Sequence, residues 1–224
     1  MPEPHTAGFA LDPARDCPLC PRLVAFREEH RRLSPDWFNA PVPSFGDKAP
    51  SLLIVGLAPG LRGANRTGRP FTGDYAGDLL YETMIDFGFA RGVYEARPDD
   101  SLELVDALIT NAVRCVPPEN KPTGPEIKAC RPFLIATLDA MPSVSAVLAL
   151  GRIAHDTFLT ALSLPRARSP FVHGAGHDIQ LSGRPVKLFD SYHCSRYNTN
   201  TGRLTRDMFR SVFASIRAHV DTTA

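Results

Sequence analysis

The sequence predicts an α/β fold that is built on a mainly parallel sheet. From residue 51 onward, short apolar runs end in glycine or polar loops, and longer amphipathic stretches separate these runs. Short apolar runs are typical of strands buried on both faces, and their alternation with helices is typical of parallel sheets. At 224 residues with 43% hydrophobic content, the chain is long enough to bury one full core. We therefore expect a single domain over residues 1–224.

The first half of this domain supplies an N-terminal arm and two strands of the sheet. The arm, residues 1–50, is rich in proline and charge, contains a helical stretch near residues 21–32, and is expected to pack on the main body. The apolar pattern predicts a buried strand over residues 52–57, a helix over 77–87 and a second strand over 108–113.

The second half continues the alternation of helices and strands. Thr123 and Glu126 have the spacing of a capping box, which predicts a helix over residues 124–140. Because ligands of open α/β sheets bind beyond the carboxyl ends of the strands, we expect function in the loops that follow them. The remaining predicted elements are strands over 144–150, 177–181 and 185–191, and helices over 152–162 and 204–220.

Charge and hydropathy narrow the classes of function. The net charge is only +1, so any face that binds nucleic acid has to be local rather than spread over the molecule. No apolar run reaches the length of a membrane span, and residues 1–16 have neither the basic start nor the apolar stretch of a signal peptide. We expect a monomeric, cytoplasmic protein without a membrane partner.

Four of the five cysteines form two pairs that could hold a metal. Cys17 and Cys20 form a C-x2-C pair, Cys115 and Cys130 form a second pair, and Cys194 lies in a different motif. Four thiolates complete the ligand set of a zinc site or of a [4Fe–4S] cluster, and the spacing does not separate these two from each other or from buried thiols. A bound metal would tie the N-terminal arm to the sheet.

A glycine-rich loop follows the first predicted strand. Residues 56–74 contain five glycines, which let the backbone approach a ligand closely, but they match neither the dinucleotide fingerprint nor the P-loop. Phe71 lies in this polar loop, where it could stack on a flat ligand or anchor the loop. Asp74 could orient or deprotonate a water molecule, or it could cap the following helix.

Four segments occur in the order found in one known family. They are residues 56–60 (GLAPG), 68–74 (GRPFTGD), 110–118 (TNAVRCVPP) and 192–205 (YHCSRYNTNTGRLT). With the four placed cysteines, these segments resemble the iron–sulfur uracil-DNA glycosylases and, within that group, family 5 of the UDGb type. The resemblance implies a three-layer α/β/α sandwich with a central, mainly parallel four-stranded sheet. It also implies a monofunctional enzyme that excises uracil from DNA by base flipping and initiates base excision repair.

The resemblance assigns a role to individual residues. Phe71 matches the aromatic residue that stacks on the extruded base, Asn111 the residue at its polar edge, and His193 the histidine placed against O2 of the base. Asp74 matches the carboxylate proposed to position water. The remaining implied residues are Gly56, Leu57 and Ala58 for substrate binding, Ser195, Arg196, Asn198 and Arg203 for DNA binding, and Cys17, Cys20, Cys115 and Cys130 for a [4Fe–4S] cluster.

Departures from the family pattern keep other functions open. Leu57 stands where the type-4 enzymes usually have a glutamate, which removes one polar catalyst. Cys194 stands where the last of the four segments, residues 192–205, commonly has proline. Hypoxanthine and xanthine are candidate additional substrates. The alternatives are a DNA-lesion binder, non-enzymatic or covalently trapping, and a different α/β hydrolase with a structural zinc.

Overall fold

The computed structural model describes residues 11–223. Residues 1–10 of the predicted N-terminal arm lie outside the described part of the chain.

A six-stranded sheet forms the centre of the molecule, in the order β1-β5-β2-β6-β8-β7. The inner four strands are mutually parallel, which confirms the predicted parallel core. Two antiparallel edge strands extend that core beyond the expected four strands. The strands are β1 (Phe45–Gly46), β2 (Leu52–Gly56), β5 (Ala107–Asn111), β6 (Ala146–Leu150), β7 (Gly176–Leu181) and β8 (Arg184–Ser191), while β3 (Ala90–Arg91) and β4 (Glu103–Leu104) pair separately.

Helices cover both faces of the sheet, so the architecture is the expected three-layer sandwich. Alternate residues of one strand point to opposite faces. Leu52 and Ile54 of β2 accordingly pack in one apolar core with α3 and α7, while Leu53 and Val55 pack in the other with α4 and α5. The helices are α1 (Pro21–Leu33), α2 (Ala64–Thr67), α3 (Tyr75–Asp86), α4 (Gly124–Asp139), α5 (Arg152–Ala161), α6 (Arg196–Asn200) and α7 (Arg206–Thr223).

Local signals locate the helix starts. The capping box of α4 forms as predicted, with the Thr123 backbone N–H donating to the Glu126 carboxylate at 2.7 Å. Helix α3 begins two residues earlier than predicted because Asp74 caps it and accepts from the Ala76 N–H. Helix α6 has no counterpart among the predicted elements, because five residues are too few to show a helical period.

A buried arginine ties the N-terminal arm to the body. The Arg114 side chain is fully buried, and its guanidinium donates to Asp12 at 2.6 Å, to Ser44 at 2.7 Å and to Thr137 at 3.0 Å. Its carbonyl accepts from the Val42 N–H at 2.8 Å. The arm therefore docks through a buried ion pair as well as through strand β1.

None of the helices within residues 11–223 is both long enough and apolar enough to cross a bilayer.

Removing the charge of Asp12 is expected to destabilise the fold. In Asp12→Asn the Arg114 guanidinium stays buried without its anionic partner, which should lower the free energy of unfolding by roughly 3–5 kcal/mol. Urea denaturation followed by circular dichroism measures this difference. Asp16→Asn is the control, because the Asp16–Arg31 pair lies at the surface and should contribute no measurable stability. Equal stability of both variants would contradict a central role for the buried pair.

Candidate active site

A cleft of about 1440 Å³, including its open mouth, lies beyond the carboxyl ends of β2, β5 and β8. Its position agrees with the rule for ligand sites of open parallel sheets. Most of the predicted site residues line this cleft, although they come from four separate segments of the chain. They are Leu57, Ala58, Phe71, Asp74, Asn111, His193, Ser195 and Arg196.

The floor of the cleft depends on the absence of a side chain at Gly56. Gly56 and Asn111 are paired in the register of β2 and β5. A Cβ atom at Gly56 would lie 2.3 Å from the Asn111 Oδ1 atom and 3.1 Å from the Phe71 ring. Glycine therefore lets the amide of Asn111 and the ring of Phe71 meet over the strand end. Within residues 11–223 the Asn111 side chain makes no hydrogen bond to protein, so its amide can bind a ligand.

Phe71 is held in a strained backbone conformation. Its φ is +51°, in the left-handed region that costs a non-glycine residue free energy unless the surroundings enforce it. Tyr94 Oη donates to the Phe71 carbonyl at 3.2 Å, and Tyr81 Oη donates to the Pro70 carbonyl at 2.5 Å. The buried ion pair of Arg69 with Asp100, at 2.7 Å, fixes the same loop. These contacts keep the Phe71 ring at the cleft.

His193 faces Phe71 across the cleft. The centroids of the two rings are 5.8 Å apart. Enclosure by protein lowers the pKa of His193 to about 4, so its imidazole is neutral at physiological pH. In the described part of the chain neither ring nitrogen bonds to protein, whereas the His193 carbonyl accepts from Asn198 Nδ2 at 2.8 Å. The ring is thus fixed through its backbone and can donate a hydrogen bond to a ligand.

Asp74 caps a helix and also lines the cleft. Its Oδ1 atom caps α3, and its Oδ2 atom lies against Gly60 and Gly63, where a Cβ at Gly63 would be 2.1 Å away. Burial raises the pKa of Asp74, although the N–H groups of Ala76 and Gly77 oppose the change. Capping is therefore observed, and the carboxylate also lines the cleft.

The predicted DNA-binding residues have different positions around the cleft. Ser195 caps α6 and, with Arg196, lines the cleft. The Arg196 guanidinium lies 5.2 Å from the centroid of the Tyr75 ring. Arg203 and Asn198 do not line the cleft: Arg203 lies over the Tyr192 ring at 4.7 Å, and Asn198 holds the backbone of His193.

Sequence reasoning missed several residues of the cleft, notably Arg62, Tyr75 and Asn120. Asn120 belongs to a short 3₁₀ turn and has a φ of +57°. A signal for it was present, because asparagine is enriched in the left-handed region and the turn follows strand β5 at the functional edge of the sheet.

The four predicted metal ligands line a second cavity of about 320 Å³. Cys20 immediately precedes α1, Cys115 follows β5 and Cys130 lies on α4, and all of these thiols are free rather than disulfide-bonded. Apolar side chains complete the lining, and Ala58 from the cleft packs against the same cluster of residues.

The surroundings of the four cysteines favour a negatively charged group. Arg27 is 3% exposed and donates to the Cys17 carbonyl at 3.2 Å, and its buried Nε atom makes no hydrogen bond in the described part of the chain, although it lies 3.6 Å from the Glu28 carboxylate. The Arg114 N–H donates to Cys130 Sγ at 3.3 Å. Burial raises the pKa of Cys115 to about 12 and that of Cys130 to about 11, so a metal has to displace protons when it binds. This donor set fits four thiolates on a metal group.

Comparisons with known proteins match most of the chain. The family model of the uracil DNA glycosylase superfamily matches residues 43–217. The chain is 47% identical over 202 residues to a type-5 uracil-DNA glycosylase of Thermus thermophilus, covering 88% of this chain and 90% of the relative. It is 41% identical over 207 residues to that of Mycobacterium tuberculosis, covering 88% and 75%. A type-4 uracil-DNA glycosylase of Archaeoglobus fulgidus is 32% identical over 154 residues, covering 68% and 69%.

A methyl group at Gly56 is expected to destabilise the protein. In Gly56→Ala the Cβ atom would overlap Asn111 and displace Phe71, and such overpacking typically costs about 1–3 kcal/mol. The free energy of unfolding in urea measures the cost. Gly124→Ala is the matched control, since its Cβ would meet no atom within 4 Å. If Gly56→Ala is as stable as Gly124→Ala, the close approach of the two strand ends is not a constraint on the site.

Proposed function

Because this chain belongs to the uracil DNA glycosylase superfamily, we propose that its cleft receives a uracil flipped out of DNA and hydrolyses the N-glycosidic bond. The chain is a uracil-DNA glycosylase, a hydrolase whose substrate is uracil-containing DNA. The observation that carries the mechanism is the convergence of Phe71, Asn111 and His193 on one cleft. Together they offer an aromatic face, an amide and a neutral imidazole to a flat heterocycle.

Base binding is assigned to Phe71 and Asn111. Extruding a base costs a few kcal/mol, and least for a mispaired base such as uracil opposite guanine. Stacking on an aromatic ring returns about 1–3 kcal/mol per base. The Asn111 amide both donates and accepts, which suits the adjacent carbonyl and N–H of uracil. Gly56, Leu57 and Ala58 supply the rest of the binding surface.

Bond cleavage is assigned to His193 and Asp74. Negative charge develops on the departing base and positive character on the sugar. A neutral His193 donates a hydrogen bond to O2 of the base, and Asp74 holds the water that attacks C1′ of the sugar. No lysine lines the cleft in the described part of the chain, so no amine is placed to form a Schiff base. The enzyme is therefore monofunctional and leaves the strand intact.

DNA binding is assigned to residues at the rim of the cleft. Ser195 and Arg196 begin α6 beside the base pocket, and their hydroxyl and guanidinium groups suit phosphate contacts. Arg203 extends this surface from its position over Tyr192. Asn198 contributes to DNA binding indirectly, because its side chain donates to the His193 carbonyl and so fixes the backbone at the rim. Tyr197 is 71% exposed on the same helix and adds an aromatic contact for unstacked bases.

The substrate range extends beyond uracil to other deaminated bases. Leu57 and Ala58 bring no polar side chain to the cleft, so discrimination between heterocycles rests on few groups. We propose hypoxanthine and xanthine as further substrates. A panel of oligonucleotides that each contain one of these bases, measured under single-turnover conditions, gives the relative rates.

The metal group is proposed to be a [4Fe–4S] cluster held by Cys17, Cys20, Cys115 and Cys130. Four thiolates around one zinc ion at about 2.3 Å lie roughly 3.8 Å from one another. Within residues 11–223 no three cysteine sulfurs all lie within 4.8 Å of one another, which supports the larger cluster. When bound, it supplies a structural cross-link between α1, α4 and the loop after β5. This link stabilises one domain over residues 1–224.

A uracil-containing duplex tests the glycosylase activity directly. After incubation with the purified protein, hot alkali should break the labelled strand at the abasic site, and without alkali the strand should stay whole. No break after alkali would refute the activity. A break without alkali would refute the monofunctional mechanism, and a protein–DNA adduct that survives denaturation would indicate covalent trapping.

His193→Ala is expected to lower the single-turnover rate by about 10²–10³-fold, the usual contribution of one donor to a developing negative charge. Since the pKa of His193 is about 4, its imidazole is mainly protonated, and so positively charged, only below that pH. The wild-type rate should therefore show no ionisation of His193 above about pH 5. His30→Ala, on α1 and outside the cleft, is the control. An unchanged rate in His193→Ala removes this residue from the mechanism.

Cys17→Ala is expected to lose the metal group and much of the soluble protein. The wild-type protein purified in air should be brown with about four iron atoms per chain. Iron content and visible absorbance measure the loss in the variant. Cys194→Ala should keep its iron, because Cys194 is buried in the apolar core with α3 and α7. If the wild-type protein is colourless and contains one zinc per chain, the four cysteines bind zinc and the [4Fe–4S] proposal is wrong.

A further inference from the structure

A buried histidine and a buried aspartate form a pair next to the strand end that carries His193. His155 lies in the first turn of α5 and Asp190 near the end of β8, and both side chains are fully buried. The His155 Nδ1 atom is 2.6 Å from Asp190 Oδ1, and its Nε2 atom is 2.8 Å from the Ser169 carbonyl. None of the base-binding or cleaving roles above uses this pair.

The hydrogen-bond partners of His155 and Asp190 indicate which of their atoms carry protons. The Ser169 carbonyl only accepts, so His155 Nε2 carries a proton. The other Asp190 oxygen accepts from the Val172 N–H at 3.1 Å and lies 3.0 Å from His177 Nε2. We assign the proton of the 2.6 Å contact to His155 Nδ1, because Asp190 already accepts the backbone N–H of Val172 and therefore serves as the acceptor of the pair. His155 is thus a buried imidazolium.

The Asp190 backbone and side chain bind the loop formed by residues 169–175 to the end of β8. The Gly174 N–H donates to the Asp190 carbonyl at 2.8 Å, and the Asp190 N–H donates to the Ala175 carbonyl at 3.0 Å. His173 in this loop accepts from the Tyr192 N–H at 3.1 Å and stacks on the Tyr192 ring at 4.8 Å. Tyr192 directly precedes His193.

We propose that Asp190, through its ion pair with His155, is a positioning residue for His193. The pair orders the loop that fixes Tyr192, and this fixes the direction in which the next residue enters the cleft. Misplacing a reacting group by about 1 Å can cost 10²-fold in rate, so this control of position has a measurable effect. The inference rests on the catalytic role proposed for His193.

The charge state of the pair depends on pH. Burial lowers the pKa of His155, but the hydrogen bond and charge of Asp190, the Ser169 carbonyl and the charge of Asp156 outweigh it and raise the pKa above its ordinary value. His177 and His173 are the other titratable groups near Asp190. Because the pKa of His155 is raised, its ion pair with Asp190 persists to a higher pH than an ordinary histidine would allow, and it breaks as the pH rises through that pKa. The rate should therefore fall on the alkaline side.

These side chains could instead bind a metal ion. His155, His177 and Asp190 place their donor atoms within 4.8 Å of one another, a set of two imidazoles and one carboxylate. The 2.6 Å approach of His155 to Asp190 is instead the length of a direct charge-assisted hydrogen bond. We therefore assign a proton rather than a metal, and metal content is one outcome of the test.

A double-mutant cycle with His193 tests the positioning role. Asp190→Asn keeps the shape of the side chain but removes its charge, and it should lower the single-turnover rate roughly 10- to 100-fold with little change in DNA affinity. It should also abolish the alkaline fall in rate. Asp178→Asn is the matched control on β7 and should keep the wild-type rate, because the carboxylate of Asp178 is exposed and forms a surface ion pair with Lys187. In the His193→Ala background, Asp190→Asn should cause no further loss.

Nitrogen-15 NMR of the wild-type protein tests the proton inventory without relying on a variant that folds poorly. Both His155 ring nitrogens should be protonated at neutral pH. An unprotonated ring nitrogen, a second metal ion that Asp190→Asn removes, a wild-type rate in that variant or an equal loss in the His193→Ala background would each overturn the proposal. If His193→Ala itself keeps full activity while His155 is doubly protonated, the catalytic assignment fails and the buried imidazolium stands.

Discussion

The pairing of Gly56 with Asn111 in adjacent parallel strands is the constraint on which the site depends. Parallel strands end at the same edge, so the loops after β2 and β5 emerge side by side. The Ala112 and Val113 N–H groups continue the ladder to the Gly56 and Leu57 carbonyls at 2.9 Å. This extension holds the first motif against the second strand, and the missing side chain at Gly56 leaves the space that Phe71 and Asn111 share.

The metal cavity and the cleft share one wall, the loop after β2 that contains Ala58. Ala58 lines the cleft and also packs with Cys20, Cys115 and Cys130. A cross-link at the cysteines therefore stiffens the loop that forms one wall of the base pocket. Arg27 and Arg114 are buried beside this junction, where Glu28 and Asp12 are their anionic partners. In the proposed function the cluster would act as scaffold, and the chemistry would lie in the loops beside it.

Strain at the cleft is offset by polar contacts behind it. Phe71 keeps a left-handed backbone because Tyr94 and the Arg69–Asp100 pair hold its loop. On the opposite wall, Asn198, His173 and the buried Asp190 fix the backbone around His193. Both rings are thus placed by contacts to their backbones, which leaves the Phe71 face and the His193 ring nitrogens free for substrate. Such an arrangement preorganises the site before DNA binds.

The sequence by itself determined the parallel core, the α4 capping box, the two pairs of cysteines and half of the residues that line the cleft. Each of these has a local signal, either a period, a spacing or a motif. Only the tertiary structure decided the edge strand β1, the place of Asn120 in the cleft and the charged pair of His155 with Asp190. A two-residue strand has no period, and the pair joins residues 35 positions apart. Such contacts depend on which elements pack together, and local sequence patterns do not predict that packing.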